Sequence, residues 1–346
     1  MSIDEWLLQL DRAVVCLNGS YDAAKTDARL KELIAAMHAG TAVGRDYEEH
    51  GRLSQQHAEF LERRQLLDEA AYFCRDAKIV EESEFARTET QRALESAAEF
   101  ILGQKLAGKY DLHGAIVTLH VLGTYGYANR HMELLAEAYE GFVRRKEGFL
   151  SERIYESENE IALGIKGEKA FGYFRSEHGI HRVEYEREKV GASGGKPQTD
   201  RITVKVEPYL NGKSSPLDEK DLLFEHLGSH GTGGGGSDTS NYGIRVTHRP
   251  TGITAVSRLR RQDSNYKLAL RVLASRVAAS AATQQDAELR AFANPADAGI
   301  VRTYNFIGTQ FIKDQRSRFE TRDVKEFFEG GIEPMIRAYH GIDFLK

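Results

Sequence analysis

Apolar residues recur at helical intervals through the first hundred positions and at strand intervals further on. Between Asp27 and Met37, the residues Ala28, Leu30, Leu33, Ile34 and Met37 fall at near-helical spacing. Leu53, Phe60, Leu61, Leu66 and Leu67 continue the habit, and residues 81–102 are rich in Ala, Glu and Arg with no helix breaker. Good helix formers joined by short polar links predict long helices packed as hairpins.

The pattern changes near Lys109. Residues 114–122 read as a strand, 132–149 as an amphipathic helix, and 158–163 and 169–174 as short strands. Over residues 201–208, Ile202, Val204 and Val206 alternate with Thr203, Lys205 and Glu207, which predicts a strand with one buried face. Residues 211–220, rich in Asn, Gly, Ser and Pro, read as a linker. Strands are expected at 243–248 and 253–257, joined by a turn at Arg249-Pro-Thr-Gly252. One long helix is expected over 265–292, with Leu268, Val272 and Leu273 inside and Asn294-Pro295 as its stop. Residues 300–306 are strand-like. A last helix over 324–340 is interrupted at Gly330-Gly331. The fold class expected is a multidomain α+β protein: helices first, then an α+β core.

Composition narrows the class. With 346 residues and 38.8 kDa, two or three domains are expected. A hydrophobic fraction of 41% fills ordinary cores. Two cysteines, Cys16 and Cys74, exclude a disulfide scaffold and fit a reducing compartment. No apolar run approaches the roughly 20 residues of a membrane span. The start MSIDEWLLQLDR lacks a secretory pattern, so a cytoplasmic location with no membrane partner is expected. The net charge of -5 hides a split. Residues 1–100 hold 12 Lys/Arg against 20 Asp/Glu, whereas residues 242–346 hold 17 against 11. A basic face for RNA and an acidic part held away from it fit that division.

Candidate chemistry sits in the basic half. Residues 228–240 read Gly-Ser-His-Gly-Thr-Gly-Gly-Gly-Gly-Ser-Asp-Thr-Ser. The run lacks the Lys-Ser/Thr pair of a phosphate-binding loop, and two strands follow it, unlike a dinucleotide fingerprint. It reads either as a flexible linker or as an RNA-facing tip exposing backbone N–H groups. Around it lie Arg245, Arg249, Arg258, Arg260, Arg261, Lys267, Arg271 and Arg276. Lys267 and Arg271, four apart, share a helix face; such residues bind phosphates without reading bases, or simply form a solvated face. Lys313, Arg316, Arg318, Arg322 and Lys325 form a second basic set. His178 and His181 have no partners at metal-site spacing, and no Ser-His-Asp or Cys-His order has supporting context. No metal or small-molecule cofactor is expected.

The order of these elements resembles the bacterial class I peptide chain release factors, most of all the branch that reads UGA and UAA. The stretches that carry the likeness are Gly172-Tyr-Phe-Arg-Ser-Glu-His-Gly-Ile-His-Arg182, Tyr242-Gly-Ile-Arg-Val-Thr-His-Arg-Pro-Thr-Gly-Ile253, Lys267-Leu-Ala-Leu-Arg-Val-Leu273 and Ile300-Val-Arg-Thr-Tyr-Asn305. Lys313-Asp314 and Glu320-Thr-Arg322 follow in the same order. The resemblance implies a helical domain over 1–107. It implies a codon-recognition-like α+β core over 108–219 and 296–346, and between them a peptidyl-tRNA hydrolase domain over 220–295. It also implies the ribosome and its rRNA as partners, with tRNA and mRNA beside them, and a monomeric chain.

The likeness departs from the family at both working ends. Counting back from Arg245, the family's Gly-Gly-Gln falls on Gly233, Gly234 and Gly235, so a glycine stands where the glutamine belongs. The resemblance gives that position a backbone N–H that stabilises an oxyanion and a side chain that positions water; Gly235 keeps only the first. The Ser-Pro-Phe position falls on Arg187, Glu188 and Lys189, and of the stop-base-reading pair only Thr199, after Gln198, has a match. Gly123-Thr-Tyr-Gly-Tyr127 replaces a glycine-rich segment that carries an acidic residue in the family. The expectation is a divergent release-factor-like protein that binds ribosomes or rRNA without ordinary stop-codon-dependent termination. The alternatives are hydrolysis through the Gly235 N–H, an RNA-binding role off the ribosome, and a plain protein scaffold.

Overall fold

Ser2 opens the first helix with a capping box. Its hydroxyl accepts the Glu5 N–H, while the Glu5 carboxylate accepts the Ser2 N–H. Four helices follow in the computed structural model: α1 (Ile3–Ser20), α2 (Ala23–His38), α3 (Gly44–Asp76) and α4 (Val80–Lys105). The structure describes residues 2–76, 80–122, 127–187, 196–210, 217–227, 243–257 and 262–345. These divide into two compact units, 1–107 with 340–346, and 108–339. In the first unit, Leu10, Ala13 and Leu17 of α1 are buried with Phe60, Leu67 and Cys74 of α3 and with Leu94, Ala97 and Ile101 of α4. Tyr21 packs on Phe60 at 4.9 Å with the rings tilted by 30°, and meets the edge of Phe100 at 5.9 Å.

The second unit runs β1 (Gly114–Val121), α5 (Ala128–Arg145), β2 (Leu150–Glu156), β3 (Glu160–Lys166), α6 (Ala170–Phe174), β4 (Gly179–Arg187) and β5 (Lys196–Tyr209). It continues through β6 (Leu222–Leu227), β7 (Gly243–His248), β8 (Ile253–Ser257), α7 (Gln262–Gln285) and α8 (Ala287–Arg290). It closes with β9 (Ile300–Asn305), β10 (Phe311–Asp314), β11 (Glu320–Thr321), α9 (Val324–Phe328) and α10 (Glu333–Tyr339). Among the described residues, eight strands form one sheet in the order β11-β10-β9-β4-β5-β1-β3-β2, and β6-β7-β8 form a second. In the large sheet β4 and β9 pair in parallel, and the other neighbours are antiparallel. Ile202, Val204 and Val206 of β5 are fully buried, as their alternation predicts.

The small sheet, α7 and the large sheet share one apolar cluster. Ile116, Ile154, Ala162 and Tyr209 meet Val246, Ala255, Leu268, Val272 and Leu273. Polar bonds cross the same seam. The Arg276 guanidinium donates to the Thr254 carbonyl at 3.0 Å and to Thr118 Oγ1 at 3.1 Å. Ser275 Oγ accepts the Leu210 N–H at 2.9 Å.

Several sequence expectations need correction. Residues 169–174 are not a strand: Ala170–Phe174 is a short helix, entered through Lys169 in a left-handed conformation. Phe171 and Phe174, three apart, both point inward, and so short an apolar run carries no decisive period. The amphipathic helix lies at Ala128–Arg145, because the chain turns out at Lys146 and Gly148 and brings Phe149 back against Phe142. The long helix ends at Gln285. Asp286 leaves the helical row, and its carboxylate accepts Lys109 Nζ and the Tyr110 hydroxyl, both at 3.1 Å. Strands β2, β4, β6, β10 and β11 were not expected; β2 bulges between Arg153 and Tyr155, and the bulge breaks its alternation.

Candidate nucleic-acid interface

The family-like stretch at 172–182 builds an ion-pair core. Arg302 on β9 is fully buried and donates to Glu177 at 2.5 Å; its other nitrogen lies 3.5 Å from Asp314. Asp314 also accepts from Arg316 at 2.7 Å, and the Tyr139 hydroxyl donates to Glu177 at 2.9 Å. Burial pushes the Glu177 carboxyl up, but the Arg302 guanidinium, with the Tyr139 bond, holds it below its ordinary value. Burial likewise opposes ionisation of Asp314, yet Arg316 and Arg302 bring it down to about 2. Two carboxylates and two guanidiniums balance here, with Arg302, Glu177 and Asp314 fully buried and Arg316 partly exposed.

His181 belongs to the same network. Its Nε2 faces the Glu177 carbonyl at 2.8 Å and its Nδ1 the Tyr304 hydroxyl at 2.9 Å. The carbonyl only accepts, so Nε2 carries the proton and Nδ1 accepts from the tyrosine. Burial lowers the ring to about 4, against opposition from Glu177. His178 Nδ1 accepts the Val206 N–H at 3.1 Å, and burial lowers this ring to about 4 as well. Both imidazoles are neutral structural groups at pH 7. Among the described residues, no group of His, Cys, Asp and Glu is placed to hold a metal ion.

Strands β4 and β5 carry two of the positions that the sequence resemblance aligns with codon recognition. Arg187 ends β4 opposite Lys196, and Thr199 is exposed on β5 opposite Glu184. Glu188 and Lys189 lie outside the described residues. Asp200, next to Thr199, is buried and accepts from His131 Nδ1 at 2.9 Å and from the Tyr185 hydroxyl at 3.3 Å. Burial lowers the His131 imidazole, while Asp200 opposes that shift. The His131 ring meets Tyr185 edge-on at 4.8 Å and stacks against Phe306 at 6.0 Å. A rigid aromatic base thus supports the hairpin beside Thr199.

The basic positions divide by what each touches. Lys267 and Arg271 are exposed on α7, one turn apart. Arg245 is exposed on β7, with Glu225 at 3.6 Å across the strand pair. Arg249 is exposed in the β7–β8 turn, where its N–H donates to the Asp221 carbonyl. Arg276 is committed internally to Thr254 and Thr118 and does not join the outer face. In the second basic set, Arg316 is likewise internal: it bonds Asp314 and the Ser176 carbonyl and lies over the Tyr339 ring. Gly233, Gly234, Gly235, Arg258, Arg260 and Arg261 lie outside the described residues.

Sequence reasoning missed the Glu177–Arg302–Asp314 core and the His131–Asp200 pair. Their partners are far apart in the chain, and local periodicity carries no signal for them. The signal that was available is the burial expected of an arginine inside an apolar strand, Val301-Arg302-Thr303.

Comparison with known families resolves what frame this is. The PCRF domain family matches residues 17–204, more than half of the chain, and the RF-1 domain family matches residues 212–316. The chain belongs to the class I peptide chain release factor family. Peptide chain release factor 2 of Acholeplasma laidlawii is 26% identical over 343 residues, 93% of each chain. Peptide chain release factor 2 of Clostridium perfringens (strain ATCC 13124) is 31% identical over 246 residues, 68% of this chain and 67% of that one. Peptide chain release factor 1 of Leptospira biflexa is 34% identical over 185 residues, 52% of each. The solved RF2 of Thermus thermophilus superposes with a TM-score of 0.68 at 24% identity, covering 93% of this chain and 95% of that one, and so shares the release-factor fold. Among the described residues, no helix is long and apolar enough to cross a membrane.

Proposed function

We propose that this chain is a divergent release-factor-like protein that binds the ribosome and its RNA but does not carry out ordinary stop-codon-dependent termination. The observation that carries the reading is a contrast. The buried Glu177–Arg302–Asp314 core is complete, while the position aligned with the family's glutamine is Gly235. At the aligned codon-reading position, Arg187-Glu188-Lys189 stands in place of Ser-Pro-Phe.

The chemistry follows from Gly235. Ester hydrolysis needs a donor held where negative charge develops and a group that positions water. A glycine keeps the N–H, loses the positioning side chain and adds backbone freedom. Removing an oxyanion donor outright costs about 2.7–4 kcal/mol; Gly235 keeps the donor but loses the side chain and the backbone restraint that would hold it and the water in place. Binding rests on Arg245, Arg249, Lys267 and Arg271, with Arg258, Arg260 and Arg261 beside them in sequence. Such side chains address phosphates and give salt-dependent affinity.

Co-sedimentation of the full chain with 70S particles tests the reading. The pellet fraction is expected to fall steeply as salt rises; migration as free protein at low salt refutes it. The retained N–H at Gly235 favours one second reading, hydrolysis of peptidyl-tRNA through the backbone alone. Ribosomes preloaded with labelled peptidyl-tRNA, assayed across codons at saturating protein, separate the two. Product at background supports the first reading, and product above background replaces it with the second. Gain of release by Gly235→Gln shows that docking geometry survives.

A further inference from the structure

Phe224 packs against the rim of the apolar cluster, and its stacking partner Tyr266 is not among the residues assigned to phosphate binding. Phe224 lies on β6 and Tyr266 near the start of α7; their rings stack at 5.2 Å with planes only 19° apart. Phe224 is half-buried, while Tyr266 is 38% exposed. A strand and a helix therefore hold one near-parallel stacked pair, of which Tyr266 is the more exposed member. Lys267 follows immediately and is exposed, and exposed His226 shares the strand face of Phe224, two residues along β6. The chain on both sides of this patch leads into the arginine-rich and glycine-rich sequence: β6 ends at Leu227, β7 begins at Gly243 and α7 begins at Gln262.

We propose that Tyr266, backed by Phe224, is a stacking platform for one unpaired RNA base, with Lys267 on the adjoining phosphate. Base-on-aromatic stacking is the usual means of holding single-stranded RNA, and it tolerates any base because every base has a π-face. A fixed ring pair supplies that surface without loss of side-chain freedom on binding. Lys267 beside it and Arg271 one turn further along α7, both exposed, favour a polyanion over an apolar peptide. This inference deepens the proposed function and rests on it for the source of the RNA.

Fluorescence anisotropy with the full chain and a labelled single-stranded RNA oligonucleotide tests the platform. Tyr266→Ala is expected to weaken binding about tenfold or more, Tyr266→Trp to retain it, and Tyr266→Leu, which still covers Phe224, to weaken it like alanine. An oligonucleotide with one abasic position scanned along it is expected to lose the same factor at one position in wild type and none in Tyr266→Ala. Lys267→Ala is expected to lower the salt dependence while leaving the abasic effect. Equal binding by Tyr266→Leu and wild type, or no abasic effect at any position, overturns the proposal. Sedimentation with vacant ribosomes and titration with deacylated tRNA separate ribosomal RNA from tRNA as the source. Tyr266-dependent oligonucleotide binding without ribosome binding leaves the platform standing and removes the proposed function. Ribosome binding indifferent to Tyr266 does the reverse.

Discussion

The Glu177 carboxylate and the Arg302 guanidinium meet at 2.5 Å with neither side chain reaching solvent. One precedes β4 and the other lies on β9, so the pair joins two strands distant in sequence. Removing one partner leaves a buried charge without its counterion, the costly case for such pairs. Arg302→Met is expected to destabilise the fold by about 3–5 kcal/mol. A denaturant series on Glu177→Gln, Arg302→Met and the double variant checks it. The double is expected to lose less than the singles combined; simple additivity contradicts the coupling.

Acid is expected to act on the same region. His178 and His181 are held at about 4, below the ordinary 6.5, because burial disfavours the imidazolium. Between those values the unfolded chain takes up protons that the folded chain refuses, so stability falls as pH falls from about 6.5 toward 4. Asp314 adds a lower window. Its stabilisation is complete above the ordinary 3.8 and is lost as pH falls through about 2. Urea midpoints measured from about pH 7 to about 4.5 should decline, and His178→Gln should make the decline shallower. A flat wild-type profile over that interval contradicts the assignment.

Gly330 and Gly141 mark a backbone crossing. Gly330 holds φ +107, and a Cβ there would collide with the Gly141 carbonyl carbon and the Phe142 nitrogen. A Cβ on Gly141 would in turn lie 2.9 Å from the Glu329 carbonyl oxygen. Gly330→Ala therefore adds a backbone clash to the left-handed strain of about 1–3 kcal/mol. Gly252→Ala, at φ +68 with open space around it, carries the strain alone. Thermal unfolding should rank Gly330→Ala well below Gly252→Ala; equal melting temperatures defeat the crossing argument.

Arg276 is expected to matter for stability rather than RNA. Arg276→Ala removes bonds to the exposed Thr254 carbonyl and the half-buried Thr118 hydroxyl, at a cost of about 0.5–1.5 kcal/mol for each bond. The same variant should leave the salt slope of ribosome binding unchanged. A reduced slope would move Arg276 to the phosphate-binding set.

Lys267→Glu and Arg271→Glu should each weaken ribosome co-sedimentation and lower the log–log salt slope by about 1 for each phosphate no longer neutralised. Unchanged binding by the double reversal removes α7 from the interface.

Legibility in the sequence followed physical range. The alternation of Ile202, Val204 and Val206 revealed their burial directly, and the turn at Gly252 bounded both its strands. The helix at 170–174 was hidden because five residues are too few to fix a period. The end of α7 was hidden because Lys109 and Tyr110 set it from elsewhere in the chain. Among the basic residues, spacing set Arg276 to one side of the Lys267–Arg271 face, but its internal partners Thr254 and Thr118 lie far off in the chain and were not legible.

The parallel pairing of β4 with β9 has a consequence for how the chain is made. Synthesis delivers β4 at Gly179–Arg187 and then the whole excursion through α7 and α8, before Ile300 emerges to cover the open edge. Until then Glu177 waits without the cation that neutralises it. A nascent chain, or a product truncated before Ile300, thus carries both a bare strand edge and a stranded charge, and late-arriving residues decide whether the earlier half becomes a sheet.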